Sequence, residues 1–422
     1  MVVSKRAMLV ILLLLILCAI RGNGQDLPID QIKKTVVYLQ GVFPCHELHL
    51  VNGAQAFAAD GTPIYETQCS QVGTGFLILA LTPELGPDRG IPLLVTSKHL
   101  IQHQILGAPK GVVGYFDTVT VLANTIQPNK AGSYIAPILI QVKARGFLNC
   151  SIDNQDPIAD FTVCPLNISD SLFDFKGLSP DMFVTRQKIE AIKLNETDEV
   201  LFSGLFLPYH GANKNYPIVR HGKLALIPKE KIPWSTPSGE TSMQDLYLAE
   251  VTSWGGNSGS PVFVRLSGAR EQGGLMGGVQ YYLLGVMQGY FNSERPATLD
   301  TAAITDTAHL DLKLSENSGI AAIVPAEKIL EIIRQPRVKA YVSIIKGNSY
   351  TKDGKLIEAE SSFKDAIDIL RKSDPGHPLL QEALKEYAAM LQTAGRFPEA
   401  NFQLRQSNAT NETSHVPDDQ LR

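Results

Sequence analysis

The chain has 422 residues, 38 Lys and Arg against 42 Asp and Glu, a net charge of -4 and 44% hydrophobic residues. That length allows two or three domains, each with a core of its own. A slightly acidic balance with no long Lys/Arg run argues against a nucleic-acid binder.

The chain starts "MVVSKRAMLVILLLLILCAIRGNGQ", with Lys5 and Arg6, an apolar run from Ala7 to Ile20, and Gly22 and Gly24 before Gln25. This is the anatomy of a secretory signal peptide over residues 1–24, which places the mature protein outside the cell or in a periplasm. The apolar run is shorter than the roughly 20 residues a bilayer span needs, so cleavage is expected rather than retention as an anchor. A lipid anchor on Cys18 is set aside because bulky Leu17 precedes it. No other segment is apolar enough to span a membrane, so no stable anchor is expected after cleavage. Of the five cysteines, Cys45, Cys69, Cys150 and Cys164 remain in the mature chain. An even set in an exported chain suits disulfides, and of the possible connectivities the sequence-local one is expected, 45 with 69 and 150 with 164. No C-x-x-C pair or His cluster supports a metal site, and no cofactor is expected. Glycosylation sequons stand at Asn149, Asn167, Asn195, Asn408 and Asn411.

From about residue 34 to 325 the chain consists of short apolar, β-branched runs separated by Gly, Pro, Asn and Asp. Examples are "TVVYL" (35–39), "TGFLILAL" (74–81), "PLLVTS" (92–97), "TVTVLA" (118–123), "EVLFSGLF" (199–206) and "PVFVRL" (261–266). The pattern predicts a mainly β region over 25–337, too long for a single barrel and better met by two packed ones, closed by a helix at about 325–335. Beyond it the apolar period becomes helical over 338–405, and residues 406–422 are polar and expected to be disordered. "GKLIEA" (354–359) returns as "GRFPEA" (395–400), the mark of stacked helix pairs. With Gly347, Tyr350, Ala359, Phe363 and Ala366 at that family's spacing, the segment resembles tetratricopeptide repeats, truncated after about one and a half units of a period longer than the usual ~34 residues. The resemblance implies a protein partner at these helices.

"GGNSGSP" (255–261) sets Ser258 in a stretch whose glycines favour a tight turn with N–H groups facing one side. A serine becomes a useful nucleophile only with a base, an acid that orients the base, and donors for the oxyanion. "LLVTSKHLI" (93–101) ends a strand at His99, and "DPIADFTVCPL" (156–166) puts Asp160 at the head of another. His103 competes with His99, and Asp156 and Asp153 with Asp160, but each fits its local context less well. An α/β-hydrolase elbow is excluded because Ser260 stands where its last Gly belongs and Pro261 follows.

The order His, Asp, Ser on a β chain, with "GNSGSP" as its sharpest motif, resembles the trypsin-like (chymotrypsin-fold) serine peptidases, in particular the bacterial and glutamyl-endopeptidase-like branch, over roughly residues 34 to 330. The resemblance implies two packed six-stranded β-barrels followed by a small all-α repeat domain. It implies Ser258 as nucleophile, His99 as general base, Asp160 as its orienting acid, and the N–H groups of Gly256 and Ser258 as the oxyanion hole. It places Thr252, Ser253, Met287, Gln288 and Gly289 at the substrate pocket. Thr252 rather than Asp argues against a Lys/Arg preference, and no His stands near Met287 to favour Glu, which leaves a neutral pocket. The expected activity is that of a secreted serine endopeptidase on protein or peptide substrates. The rival expectation is an inactive trypsin-fold binding protein or scaffold acting through the helical repeats.

Overall fold

The computed structural model describes residues 29–413, apart from 49, 52–53, 59–61, 83–89, 110, 153–155, 157, 236–240, 268, 271–273, 276–277 and 298–311. The expected signal peptide lies outside the described residues. After a short helix α1 (Ile29–Lys33), six strands form one antiparallel sheet: β1 (Val36–Leu48), β2 (Tyr65–Leu81), β3 (Gly90–Thr96), β4 (Thr118–Asn124), β5 (Ile135–Gln141) and β6 (Thr162–Pro165), in the order β6-β3-β2-β1-β4-β5. Six more form a closed barrel: β7 (Glu199–Gly204), β8 (Ile218–Leu226), β9 (Tyr247–Glu250), β10 (Pro261–Leu266), β11 (Gln280–Ala297) and β12 (Leu312–Pro325), in the order β7-β8-β9-β12-β11-β10. A helix α2 (Arg186–Ala191) joins the two halves, capped by the Thr185 hydroxyl, which accepts from Lys188 N–H at 3.1 Å.

The first sheet curls into a half-barrel whose edges, β5 and β6, are not laddered to each other. The chain at 149–151 bridges the gap. Asn149 N–H donates to Val142 C=O, and Ser151 and Val163 exchange both backbone hydrogen bonds at 2.7 and 2.9 Å. The expected disulfides both form, Cys45–Cys69 on the β1–β2 ladder and Cys150–Cys164 pinning this bridge.

The continuous apolar run of β2 has a simple reason. Leu77 faces the half-barrel interior with Val37, Leu39, Leu94 and Val121, while Phe76 and Ile78 face a second core between the barrels with Phe161, Leu201, Phe263 and Val286. A strand buried on both faces shows no polar alternation. The closed barrel is filled separately by Val200, Phe202, Val262, Leu284 and Met287.

Five helices follow: α3 (Glu327–Ile333), α4 (Pro336–Lys352), α5 (Leu356–Ser373), α6 (Pro378–Thr393) and α7 (Phe397–Thr413). The last four pack in succession around Ile344, Phe363, Leu370, Leu384 and Leu391. Gly347 permits the closest approach, since a Cβ there would lie 2.7 Å from the Phe363 ring. The expected boundary at 337/338 falls inside α4, and Val338 and Tyr341 of that helix join the core between the barrels. Helix α7 continues to Thr413, so residues 406–413 are helical where the sequence suggests a disordered tail. Residues 414–422 lie outside the described residues.

Candidate active site

His99 sits on a 3-10 turn (Lys98–Ile101) directly after β3, anchored by buried Leu100 and Ile101. Asp160 immediately precedes Phe161 and β6, which pairs with β3 along Thr162↔Thr96 and Val163↔Val95. The ladder therefore brings the two together across the sequence. Asp160 Oδ2 accepts from the His99 ring at Nδ1 at 2.5 Å, and its Oδ1 accepts from the His99 backbone N–H at 2.9 Å. The Gln71 side-chain amide donates to the His99 carbonyl at 2.7 Å and fixes the turn from its other side. With Asp160 holding Nδ1–H, the imidazole keeps its lone pair on Nε2.

Burial disfavours the charged form of both groups, and their mutual attraction outweighs it. His99 is raised from its usual pKa by the charge and hydrogen bond of Asp160, with Lys98 opposing. Asp160 is lowered by the His99 charge, by its hydrogen bonds to His99 and by Lys98. The His99 side chain remains 42% exposed, open to a substrate, while Asp160 is 16% exposed.

Ser258 lies on the turn between β9 and β10. Gly256 has φ +88° and Gly259 φ +83°, values that favour glycine. A Cβ on Gly259 would lie 2.0 Å from the Thr74 carbonyl and 3.1 Å from Ser97 N, so the serine turn packs directly on the chain leading to His99. Thr74 N–H donates to the Ser258 carbonyl at 3.0 Å, and its hydroxyl donates to the Gly256 carbonyl at 2.7 Å while accepting from Leu205 N–H. Buried Asn257 accepts from Trp254 N–H and donates to Leu205 C=O at 2.6 Å, tying the turn to the end of β7. Among the described residues, neither the Gly256 nor the Ser258 N–H meets a protein acceptor. The Ser258 hydroxyl donates to the Gln288 carbonyl at 3.2 Å, and no hydrogen bond joins it to the His99 ring.

The competing residues fall elsewhere. His103 stacks on Phe43 and against Phe116, away from Asp160. Asp156 pairs with Lys328 at 2.6 Å, and Asp153 lies outside the described residues. Of the expected pocket residues, Thr252 is exposed and its carbonyl accepts from Arg220 at 3.4 Å. Ser253 is buried, its hydroxyl without a partner among the described residues, and its carbonyl accepts from the Asn317 amide at 2.6 Å. Gln288 is buried and donates through its amide to Gln244 at 3.0 Å. Gly289 faces Trp234, whose ring would lie 3.2 Å from a Cβ there. Met287, expected at the pocket, instead has its side chain fully buried inside the closed barrel. What Met287 contributes is its backbone, which accepts from Gly259 N–H at 2.8 Å and donates to Ser260 C=O at 2.9 Å.

No family model matches this chain, and no curated protein does. Among solved structures it is similar to the protease Rv3671c of M. tuberculosis H37Rv. The active form is 14% identical with a TM-score of 0.29, covering 74% of this chain and 87% of that one. The inactive form is 13% identical with a TM-score of 0.28, covering 74% and 96%. So distant a likeness adds no weight to the site, which rests on its own geometry. Among the described residues no group of His, Cys, Asp or Glu could hold a metal ion, and no helix is long and apolar enough to cross a membrane.

Proposed function

We propose that the protein is an exported serine endopeptidase in which Ser258 is the nucleophile, His99 the base and Asp160 its orienting acid. The observation that carries this reading is the doubly bonded His99–Asp160 pair beside a glycine-framed serine turn with two unengaged amides. Ser258 Oγ would attack the scissile carbonyl carbon as its proton passes to His99 Nε2. The carbonyl oxygen would take the electron pair and point at the Gly256 and Ser258 N–H groups. Collapse of that adduct expels the amine, which leaves with the proton from His99, and water then hydrolyses the acyl-enzyme by the same route.

The Ser258–Gln288 hydrogen bond describes a resting serine, and a side-chain rotation toward His99 would make it competent. The exposed residue beside the turn, Thr252, is neutral, which favours an uncharged substrate side chain over Lys, Arg or Glu. The leader anatomy and the two disulfides support export. The close Gly347–Phe363 contact and the successive helix pairs support a tetratricopeptide-like segment presented to a protein partner.

Treating the purified protein with a fluorophosphonate probe and locating the adduct by mass spectrometry tests the reading. Label on Ser258 that vanishes in Ser258→Ala and His99→Ala is expected. A folded protein that takes no label would sink it, and would favour the fold as a binding module acting through its helices.

A further inference from the structure

Lys328, on the first turn of α3, is 7% exposed, which is unusual for a lysine. Its ammonium donates to Asp156 Oδ2 at 2.6 Å and lies 3.5 Å from Asp245 Oδ2. These carboxylates belong to different halves of the molecule. Asp156 opens the turn that leads into Asp160, its carbonyl accepting from Ala159 N–H at 3.0 Å. Asp245 directly follows Gln244, which receives the Gln288 amide, and the Gln288 carbonyl in turn receives the Ser258 hydroxyl. One buried charge thus touches the supports of both the acid and the nucleophile. Its neighbours strengthen the attachment. Gln335 donates to Ile152 C=O at 2.8 Å, and Ile329 and Ile332 share a core with Ala159 and Phe161.

We propose that Lys328 is a positioning residue that locks the Asp160 turn and the Gln244–Gln288 wall into one geometry, so that the C-terminal helices hold the candidate active site in register. A buried ammonium joined to carboxylates on separate elements suits that task, because removing it breaks the buried Asp156 ion pair and releases the contact with Asp245, and the two turns lose their common anchor. Rate is sensitive to such movement, since a misplacement of about 1 Å can cost ~100-fold. The inference rests on the peptidase reading only where it speaks of rate. Its structural content concerns the His99–Asp160 pair.

The test follows the His99 ring by NMR titration in the full chain, with Lys328→Met, Lys328→Arg and the double variant Asp156→Asn/Lys328→Met, and measures fluorophosphonate labelling in parallel. The groups that face His99 are Asp160, which raises its proton affinity, and Lys98, which lowers it. Deleting an ammonium acts directly to raise a histidine's affinity for protons, whereas displacing Asp160 lowers it, so the sign separates the two effects. A fall of about one pKa unit, a tenfold loss of proton affinity, is expected in Lys328→Met and the double variant. Labelling should slow by about tenfold to a hundredfold, with both properties restored in Lys328→Arg. The double variant removes the Asp156 pair as a unit and gives the answer if the single one does not fold. A folded variant whose His99 affinity is unchanged or raised overturns the proposal. A fall in affinity in a protein that never labels would keep the positioning role and refute the peptidase reading.

Discussion

Asp160→Asn is the sharpest test of the candidate triad. Asp160 offers His99 two acceptors, Oδ2 to the ring and Oδ1 to the backbone N–H. Asparagine has one acceptor and one donor in the same places. If its oxygen stays with the backbone N–H, its NH₂ faces Nδ1, which must then accept, so the ring proton moves to Nε2 and His99 cannot take a proton from Ser258. If the amide is reversed, two N–H groups meet at the backbone. The first arrangement preserves the fold and costs ~10⁴ in rate, or about 5.5 kcal/mol of transition-state stabilisation. The pH behaviour has a definite sign. Asp160 is depressed in the fold, so its contribution to stability is complete above its unfolded pKa of about 3.9 and lost as pH falls. His99 is raised, so its contribution is complete below its unfolded value of about 6.5 and lost as pH rises through the folded one. The pair therefore stabilises most between about pH 4 and 6.5, and the advantage of wild type over Asp160→Asn in thermal midpoint should peak there. The assay is the rate of fluorophosphonate labelling from pH 5 to 9 beside thermal melts over a wider range. An Asp160→Asn protein that labels within about tenfold of wild type at neutral pH would refute the role given to this carboxylate.

Gly259→Ala should cost about 2–4 kcal/mol, from backbone strain and a Cβ driven into the Thr74 carbonyl, read as a lower denaturant midpoint together with lost labelling. Phe76→Ala opens a cavity in the core between the barrels and should cost about 3–5 kcal/mol by the same measurement, leaving the labelling of the surviving folded protein intact. His377 caps α6 by accepting from Leu379 N–H, and burial followed by the charge of Arg337 pushes its pKa down to about 4. Such a histidine stabilises fully above its unfolded value of about 6.5 and progressively less as pH falls toward 4, a change of up to about 3 kcal/mol. His377→Asn keeps a capping oxygen and should flatten the dependence of the thermal midpoint across that window, whereas an unchanged slope would remove His377 as its source.

The parts of this molecule legible in the sequence are those whose signals are local. Ser258 announces itself through its glycines, His99 and Asp160 through the strands that carry them, and the cysteine pairs through their proximity along the chain. The sequence places Met287, Gln288 and Gly289 together at the pocket because position along the chain does not tell which side chains of a strand turn into the barrel, as that of Met287 does. Gln244 and Trp234 reach Gln288 and Gly289 from a separate hairpin, a relation that spacing along the chain does not encode. Nor does composition single out Lys328 among the charged residues, since its partner Asp156 is distant in sequence and only the fold buries both. The docking of α4 escaped for another reason. Its Val338 and Tyr341 face the barrels while Ala340 and Ile344 face the other helices, so it lacks the one-sided pattern of a surface helix.

That two-sided burial of α4 has a consequence for the order in which the protein is made. The gap between the half-barrel's edge strands lies beneath α4 and α6, over a cavity of about 360 Å³ lined by Ile140, Val163, Tyr341 and His377. A growing chain that has emerged only as far as β12 still lacks the helices that cover this surface and complete the core between the barrels. Domains of a nascent chain fold as units once their contacts are available. Final consolidation must therefore wait until the C-terminal helices have been synthesised, and a ribosome stalled before them would release a chain with its apolar core open to water. If the protein is the peptidase proposed above, the last segment translated would then also determine when the candidate active site is complete.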